Sequence, residues 1–223
     1  MTSNITIVTA ASSNHYKSLL QFLRSVPSGP RVVVYDLGLT EQEVHGLPVN
    51  VLYRKFNFSI YPEFIQLSSP DAGAYAWKPC IVNDVCREFG GIVLWCDSGN
   101  IITDLKLIVQ SILKCSVYSS ITSGTFETWT HPTARQHLPQ CHRFLKYPMR
   151  NASCIGIDYS SPYAQWLLYD WKYYALRREI SIPYGANRSN HRHDQSILTY
   201  LIYGYGLPLI DEKLGYSIHN DID

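Results

Sequence analysis

Four almost uninterrupted apolar runs in the first half of the chain constrain its fold more than any other feature. They cover residues 5–11, 31–36, 49–53 and 91–97, and helical patterns lie between them. Strands with apolar side chains at successive positions are buried on both faces, which is typical of parallel strands covered by helices. Because strands that alternate with helices form crossover connections, the pattern predicts an α/β fold with a mostly parallel sheet sandwiched by helices.

The second half of the chain combines helical patterns with a long irregular stretch. Residues 119–150 have no clear period, and we interpret them as a functional insertion over one edge of the sheet. The length predicts a single domain over residues 1–223. We expect one further strand at 151–158, and helices at about 78–89, from 103, at 161–178 and at 193–203. Four aromatic residues at helical spacing are expected in the core: Trp166, Trp171, Tyr173 and Tyr174.

The composition is that of a folded protein without a general electrostatic attraction to a polyanion. Hydrophobic residues make up 46% and charged residues 17% of the 223 residues, which excludes intrinsic disorder. The formal net charge of +1 indicates neither a nucleic acid nor a membrane surface as a partner. No apolar run is long enough to span a membrane. The six cysteines have no C-x-x-C spacing and are expected to be buried free thiols.

The signals for cellular location point in two directions. The first residues lack the charged and apolar stretches of a signal peptide, which favours the cytoplasm. Four Asn-x-Ser/Thr sequons and the six cysteines favour a lumenal setting. We therefore expect the cytoplasm, with a Golgi-type lumen as the alternative if an anchor has been removed from a larger protein.

Several common catalytic motifs are absent from the sequence. It has no G-x-G-x-x-G, no G-x-x-x-x-G-K-[ST], no H-E-x-x-H and no G-x-S-x-G. In open α/β sheets, ligands bind beyond the carboxyl ends of the strands, so the site residues are expected there. The candidates at these strand ends are Thr9, Ala10, Ala11, Asp36, Asp97, Ser98, Gly99 and Asn100.

Two aspartates at strand ends have both a functional and a structural interpretation. Asp97 ends the apolar run at 91–97, where a hard cation such as Mg²⁺ or Mn²⁺ would find a carboxylate beside substrate phosphates. The alternative is that Asp97 is a turn residue or a helix cap. Asp36 either accepts hydrogen bonds from a ribose or a base, or caps the turn that follows it.

Several segments, in the expected order, resemble the motifs of GT-A-type nucleotide-sugar glycosyltransferases. Residues 94–100 resemble their aspartate-motif loop, and residues 7–12 are similar to their first strand, whose end holds the nucleotide. Residues 74–79 resemble the segment in which a Lys or Arg faces the diphosphate. Residues 151–156 are similar to the strand that lines the acceptor cleft, and 193–195 to an Asp-Gln motif. The pattern Ala-Tyr-x-[Trp/Phe]-Lys-Pro … Trp-x-Asp-Ser is most similar to an uncharacterised GT-A-like group.

The resemblance implies an enzyme that transfers a sugar from a nucleotide diphosphate sugar to a hydroxyl acceptor. The donor would be a UDP-sugar, bound by the half of the chain at about 1–104. The acceptor would be a glycan or glycoprotein, bound by the half at about 105–223. The implied cofactor is Mn²⁺ or Mg²⁺, held by Asp97 and His219. Lys78 would face the diphosphate, and Gln195 would join the donor site.

The resemblance also implies residues near the reacting carbon and the acceptor. Asp194 would lie near the anomeric carbon, either as the base for the acceptor hydroxyl or as a carboxylate that stabilises positive charge on the sugar. It could also act as a helix cap. Trp129 could stack on a sugar ring while His131 bonds its hydroxyls, although core packing is an alternative for Trp129. The acceptor-side candidates are Trp129, His131, Asn151, Ser153 and His193.

One position departs from the pattern of the family. The usual motif is Asp-x-Asp, but here the third position is Gly99, which has no side chain to bind a cation. A weak or dispensable requirement for the metal follows as an expectation. The departure also motivates an alternative function, a catalytically degenerate module that binds glycans or nucleotide sugars. A nucleotidyltransferase is disfavoured, because no Gly- and Arg-rich loop follows the first strand.

Overall fold

The computed structural model describes residues 5–218 and 220–223. Its central sheet has the strand order β3-β2-β1-β4-β9-β6. β1 pairs in parallel with β2 and β4, and β2 with β3, whereas β9 runs antiparallel to β4 and β6. The predicted α/β fold with a mostly parallel sheet is thus confirmed. The strands of this sheet are β1 (Ile5–Ser12), β2 (Arg31–Gly38), β3 (Leu52–Lys55), β4 (Ile92–Cys96), β6 (Val117–Tyr118) and β9 (Cys154–Asp158).

The four helices predicted at about 78–89, from 103, at 161–178 and at 193–203 are present, with small shifts at their ends, and several short helices were not predicted. The third predicted helix ends at Ala175, and a separate turn of helix follows it. The helices are α1 (Tyr16–Ser25), α2 (Glu41–His45), α3 (Pro70–Ala74), α4 (Trp77–Phe89), α5 (Leu105–Cys115), α6 (Phe126–Trp129), α7 (Pro132–Gln136), α8 (Pro162–Ala175), α9 (Arg178–Ser181) and α10 (His193–Gly204). Within the described residues, no helix is long and apolar enough to cross a membrane.

Alternate residues of the strands feed two hydrophobic layers, one on each face of the sheet. Val8 and Trp95 belong to the larger cluster, which α4, α8 and α10 cover. Ile7 and Leu94 point to the other face, where α1 and α5 cover them. Burial on both faces explains why β1 and β4 are apolar at successive positions. The edge strand β3 is the exception, because all four of its residues are exposed.

Three parts of the sequence-based expectation need correction or refinement. The stretch 119–150 contains regular structure, since β7 (Ile121–Thr125) pairs antiparallel with β8 (Pro148–Arg150). A second small ribbon joins β5 (Ile101–Ile102) to β10 (Tyr216–Ser217). The expectation of a core position for Trp166 was wrong, because its side chain is 56% exposed and Tyr173 is exposed with it. All six cysteines are buried free thiols, as predicted.

The segment that leads into α4 makes a left-handed turn. Asp71, Ala72, Gly73, Ala74 and Tyr75 all have positive φ angles, between 50° and 68°. Each non-glycine residue in this region costs about 1–2 kcal/mol, so surrounding contacts must hold the turn in place. Nε1 of the Trp77 side chain donates to the backbone oxygen of Ala72 at 3.1 Å, which is one such contact.

Candidate functional site

The site forms where the carboxyl ends of β1 and β4 meet the amino end of the antiparallel strand β9. The backbone N–H of Asp97 donates to the backbone oxygen of Ser153 at 2.8 Å. The side-chain amide of Asn100 donates to the same oxygen at 2.7 Å. These two bonds fix the loop after β4 against the segment before β9. Residues from opposite halves of the chain therefore face one another across the edge of the sheet.

Asp97 lies at the centre of this edge, with its carboxylate half-exposed. Nε1 of Trp95 donates to its Oδ1 at 2.7 Å, and Nζ of Lys78 is 3.1 Å from the same oxygen. The side chain is 41% exposed, so the carboxylate remains open to a ligand from solvent. Since its neighbours are an indole and a lysine, the Asp97 carboxylate is held in one orientation rather than left to rotate.

Lys78 is a buried cation held by two carboxylates and a carbonyl. Its Nζ donates to the backbone oxygen of Ala152 at 3.1 Å and lies 3.3 Å from Oδ2 of Asp194. Burial alone would lower the pKa of Lys78, but Asp194 and Asp97 outweigh burial and raise the pKa above its usual value. Lys78 is therefore charged at any physiological pH, and its charge is committed to the two aspartates.

Asp194 lies in the first turn of α10, with its carboxylate buried against Lys78. A hydrogen bond holds the start of α10 against the end of α6: Ser196 Oγ donates to the backbone oxygen of Trp129 at 2.7 Å. Burial is the main cause that raises the pKa of Asp194 to about 6, while Lys78 acts in the opposite direction. Oδ2 of Asp194 is buried, and its contact with Nζ of Lys78 is an ion pair at 3.3 Å.

Two buried histidines precede Asp194 and differ in their hydrogen-bond partners. Nδ1 of His191 accepts the backbone N–H of His131 at 3.2 Å, which leaves its other nitrogen as the donor. Burial and the nearby His193 lower the pKa of His191 to about 3, so this ring is neutral. His193 instead faces two oxygen acceptors, Ser181 O at 2.9 Å and Asp71 Oδ2 at 3.1 Å.

Two cavities meet at Asp97. The strand-end cavity has a volume of about 500 Å³ and extends from the end of β1 to the loop after β4. The inner cavity has a volume of about 290 Å³ and extends from Lys78 to the insertion. Both volumes are in or near the range of small-molecule sites. The residues that line both cavities are Tyr75, Asp97, Ser153 and Arg188.

Most of the residues predicted for the site line one of these two cavities. The strand-end cavity contains the predicted donor residues Ala10, Ala11, Asp97, Ser98, Gly99 and Asn100. The inner cavity contains Lys78, Trp129, Asn151, Ser153, His193, Asp194 and Gln195. Lys78 thus lies on the inner side, where it pairs with aspartates. Its predicted contact with a diphosphate remains a prediction.

Three predicted residues line neither cavity. Thr9 is fully buried beneath the strand end. Asp36 uses Oδ1 to accept the backbone N–H groups of Gly38 and Leu39, and Oδ2 to accept the Tyr53 hydroxyl. This geometry favours the turn-cap interpretation over a role in binding ribose.

His131 likewise has a structural contact. Its Nδ1 accepts the backbone N–H of Thr133 at the start of α7. The expected contact of the His131 ring with acceptor hydroxyls remains a prediction. His219, the predicted histidine ligand of the metal, lies outside the described residues.

Sequence reasoning missed several residues of the two cavities. Tyr75 and Arg188 line both of them. His15 and Asp221 line the strand-end cavity from the start of α1 and from the C-terminal segment. No strand-end pattern marks these residues, because loops or the chain terminus carry them.

Comparison with known proteins supports the fold assignment. Residues 1–83 match a family described as protein of unknown function DUF1647. No curated protein matches the chain. The fold is similar to that of the galactosyltransferase LgtC with donor and acceptor sugar analogs (20% identity, 88% of this chain, 70% of that chain, TM-score 0.53). An active-site glutamine-to-glutamate variant of LgtC has 19% identity over the same shares, with a TM-score of 0.56.

A further similar structure is the apo form of the bifunctional glycosyltransferase WbbM. It has 13% identity and a TM-score of 0.57, and the match covers 94% of this chain but only 39% of that chain. Identities this low show the architecture alone. The mixed α/β structure with its mostly parallel central sheet is similar in fold to these glycosyltransferase structures.

Proposed function

We propose that this chain transfers a sugar from a nucleotide diphosphate sugar to a hydroxyl group of a glycan or glycoprotein. One observation carries the proposal: two cavities meet at the half-exposed Asp97, and Lys78 pairs with both Asp97 and the buried Asp194. The pKa of Asp194 is raised. A transfer reaction needs two substrates to meet at one point, and this arrangement supplies both the spaces and the charges. The similar glycosyltransferase structures support the same chemistry.

The strand-end cavity is the better fit for the nucleotide. It is the larger of the two, and the small side chains of Ala10 and Ala11 leave room for a base and a ribose. Its position beyond the ends of β1 and β4 is where open α/β sheets bind nucleotides. We infer a UDP-sugar as the donor, with the diphosphate on the side of Asp97.

The inner cavity is the better fit for the acceptor. Trp129 presents an aromatic ring, and sugar rings have apolar C–H faces that pack against such rings. Asn151 and Arg192 add hydrogen-bonding groups at the same wall. The Arg192 guanidinium fixes the plane of the indole through its cation–π contact, so the stacking surface is preformed.

Asp194 is the proposed catalytic residue at the sugar. A carboxylate with a pKa of about 6 is a stronger base than an ordinary aspartate and is still ionised at neutral pH. In an inverting transfer it takes the proton of the acceptor hydroxyl while that oxygen bonds the anomeric carbon and the nucleoside diphosphate leaves. In a retaining transfer its charge stabilises the cationic sugar. Gln195 lines the same cavity, and a glutamine also belongs to the active site of LgtC.

The cation that GT-A enzymes commonly use is compatible with this site. Asp97 offers a half-exposed carboxylate at the mouth of the strand-end cavity, which suits a hard divalent ion. When bound, such an ion neutralises charge that develops on the departing diphosphate. On the inner side, Lys78 holds the Asp97 carboxylate in place for this contact.

The test is a turnover assay on the purified chain with a panel of UDP-sugars, with release of UDP as the readout. We expect Asp97→Asn and Asp194→Asn each to lower turnover at least about a hundredfold, in line with the loss of a positioned catalytic group. Asp84→Asn is the matched control. It also removes a carboxylate that pairs with a lysine, but it lies on the opposite part of α4 and should leave turnover unchanged.

Calorimetric titration with the donor separates catalysis from binding. Asp194→Asn should still bind the donor, whereas Asp97→Asn should bind it more weakly. Donor binding by the wild-type chain without any release of UDP would refute the enzyme and favour the alternative, a nucleotide-sugar-binding module.

A further inference from the structure

The C-terminal segment, residues 220–223, lies across the rim of the strand-end cavity. The backbone N–H of Asn220 donates to the backbone oxygen of Gly99 at 2.8 Å. Beyond it, the N–H of Ile222 donates to Ser18 Oγ at 3.0 Å, and Asp223 Oδ1 accepts the N–H of Lys17 at 2.8 Å. The segment is thus held at both ends, by the loop after β4 and by the start of α1. Between these two anchors it presents the side chain of Asp221.

The Asp221 carboxylate occupies the space that a side chain at position 99 would need. A Cβ atom on Gly99 would lie 2.8 Å from Cγ and 2.9 Å from Oδ2 of Asp221, closer than real Cβ contacts. The carboxylate that the Asp-x-Asp pattern places at the third position is therefore missing from Gly99, but another carboxylate fills its place. A side chain at position 99 would have to displace the Asp221 carboxylate.

Asp221 also belongs to a group of side chains with the chemistry of a cation site. Nδ1 of His15 is 3.7 Å from Oδ1 of Asp221 and 3.5 Å from Oδ2 of Asp223. One ligand atom from each of the three lies within 4.8 Å of the other two. His15 and Asp221 line the same cavity as Asp97 and Ser98. Carboxylate oxygens with an imidazole suit Mn²⁺.

We propose that Asp221 supplies, from the C-terminal segment, the cation-binding carboxylate that Gly99 lacks. The inference rests on the proposed function in one respect: the bound cation would also contact the diphosphate of the donor. Its own content is narrower: a divalent cation in the strand-end cavity depends on Asp221, with His15 beside it. The departure from Asp-x-Asp is then a relocation of one acid and not its loss.

The first experiment measures Mn²⁺ binding without any donor, by electron paramagnetic resonance of free Mn²⁺ and by calorimetry. We expect Asp221→Asn to weaken binding at least about tenfold, since even indirect partners of a metal are worth 10- to 100-fold. Asp84→Asn, which removes a carboxylate far from the cavity, should bind Mn²⁺ like the wild type. Unchanged binding by Asp221→Asn, or no binding by the wild type at millimolar Mn²⁺, would overturn the inference.

The second experiment moves the acid back to the loop. Gly99→Ala fills the space with a methyl group and should weaken Mn²⁺ binding, with the melting temperature used to verify the fold. The double variant Gly99→Asp/Asp221→Gly should regain most of the lost affinity, because a carboxylate again occupies the same region. If the double variant binds no better than Asp221→Asn, the positional equivalence of the two acids is wrong.

The two proposals fail in different ways. If Mn²⁺ binding depends on Asp221 but no nucleotide sugar is turned over, the cation site stands and the proposed function falls. If turnover is found and Asp221→Asn retains both turnover and wild-type Mn²⁺ binding, the function stands and the role of Asp221 falls.

Discussion

Replacing Lys78 with methionine would leave two carboxylates facing a buried apolar side chain. The Lys78 and Asp194 side chains are only 5% and 4% exposed, so the cost is that of breaking a buried ion pair, about 3–5 kcal/mol. The pair with Asp97 adds no more than about 1 kcal/mol, because Asp97 is 41% exposed and solvent screens it. We therefore expect Lys78→Met to lower the free energy of unfolding by about 3–5 kcal/mol at pH 8.

The sign of the pH dependence follows from Asp194. Its pKa is raised in the folded protein, so the folded state binds this proton more tightly than the unfolded state does. Removal of Lys78 takes away the charge that holds the pKa down and raises it further. The cost of the ionised Asp194 is therefore largest at pH 8 and disappears as the pH falls below the pKa of an unfolded aspartate. Lys78→Met should lose much less stability at pH 4 than at pH 8.

Urea unfolding, followed by circular dichroism at the two pH values, measures both quantities. Lys172→Met is the matched control, because it breaks a half-exposed lysine–aspartate pair with Asp84 and should cost less than about 1 kcal/mol. Lys78→Met/Asp194→Asn should recover most of the loss. A loss below about 1 kcal/mol for Lys78→Met, or an equal loss at both pH values, would refute the assignment of a charged buried pair.

Further predictions concern the pH profile and the backbone. Turnover should fall as the pH drops through about 6, where Asp194 gains a proton, and this limb should be missing from the residual activity of Asp194→Asn. Gly156→Ala should cost about 1–3 kcal/mol in urea unfolding, because its Cβ would overlap the Ile112 side chain, whereas Gly204→Ala meets open space and should cost nothing. Ala72→Gly should leave the melting temperature unchanged or raise it, because glycine relieves the left-handed φ of 50°; a clear drop would contradict the strain argument.

The sequence predicted the sheet well, because a strand that is buried on both faces has apolar residues at successive positions and this pattern is visible in the sequence. The strands β1 and β4 need apolar side chains at successive positions, and the first polar residues after them necessarily lie at the carboxyl edge. This placed Asp97 and its loop at the site without any tertiary information. The edge strand β3 is the exception. An apolar run overlaps it in the sequence, but all four of its residues are exposed.

The side-chain partners could not be predicted in the same way. Lys78 and Asp194 are far apart in sequence. The sequence around a lysine at the start of a helix does not indicate whether it contacts solvent, a phosphate or two carboxylates. The residue type of Asp36 was compatible with binding, but two backbone N–H groups and the Tyr53 hydroxyl occupy its carboxylate. Trp166 had helical spacing but lies on an exposed face of α8.

The reversed direction of β9 has a practical meaning for anyone searching related sequences. A scan of residues that follow the strands would collect Asp97 and pass over Asn151 and Ser153, since these come before their strand. In this architecture the site residues follow the parallel strands but precede the antiparallel strand β9. A search profile should therefore weight the residues upstream of that strand as heavily as those downstream of its parallel neighbours.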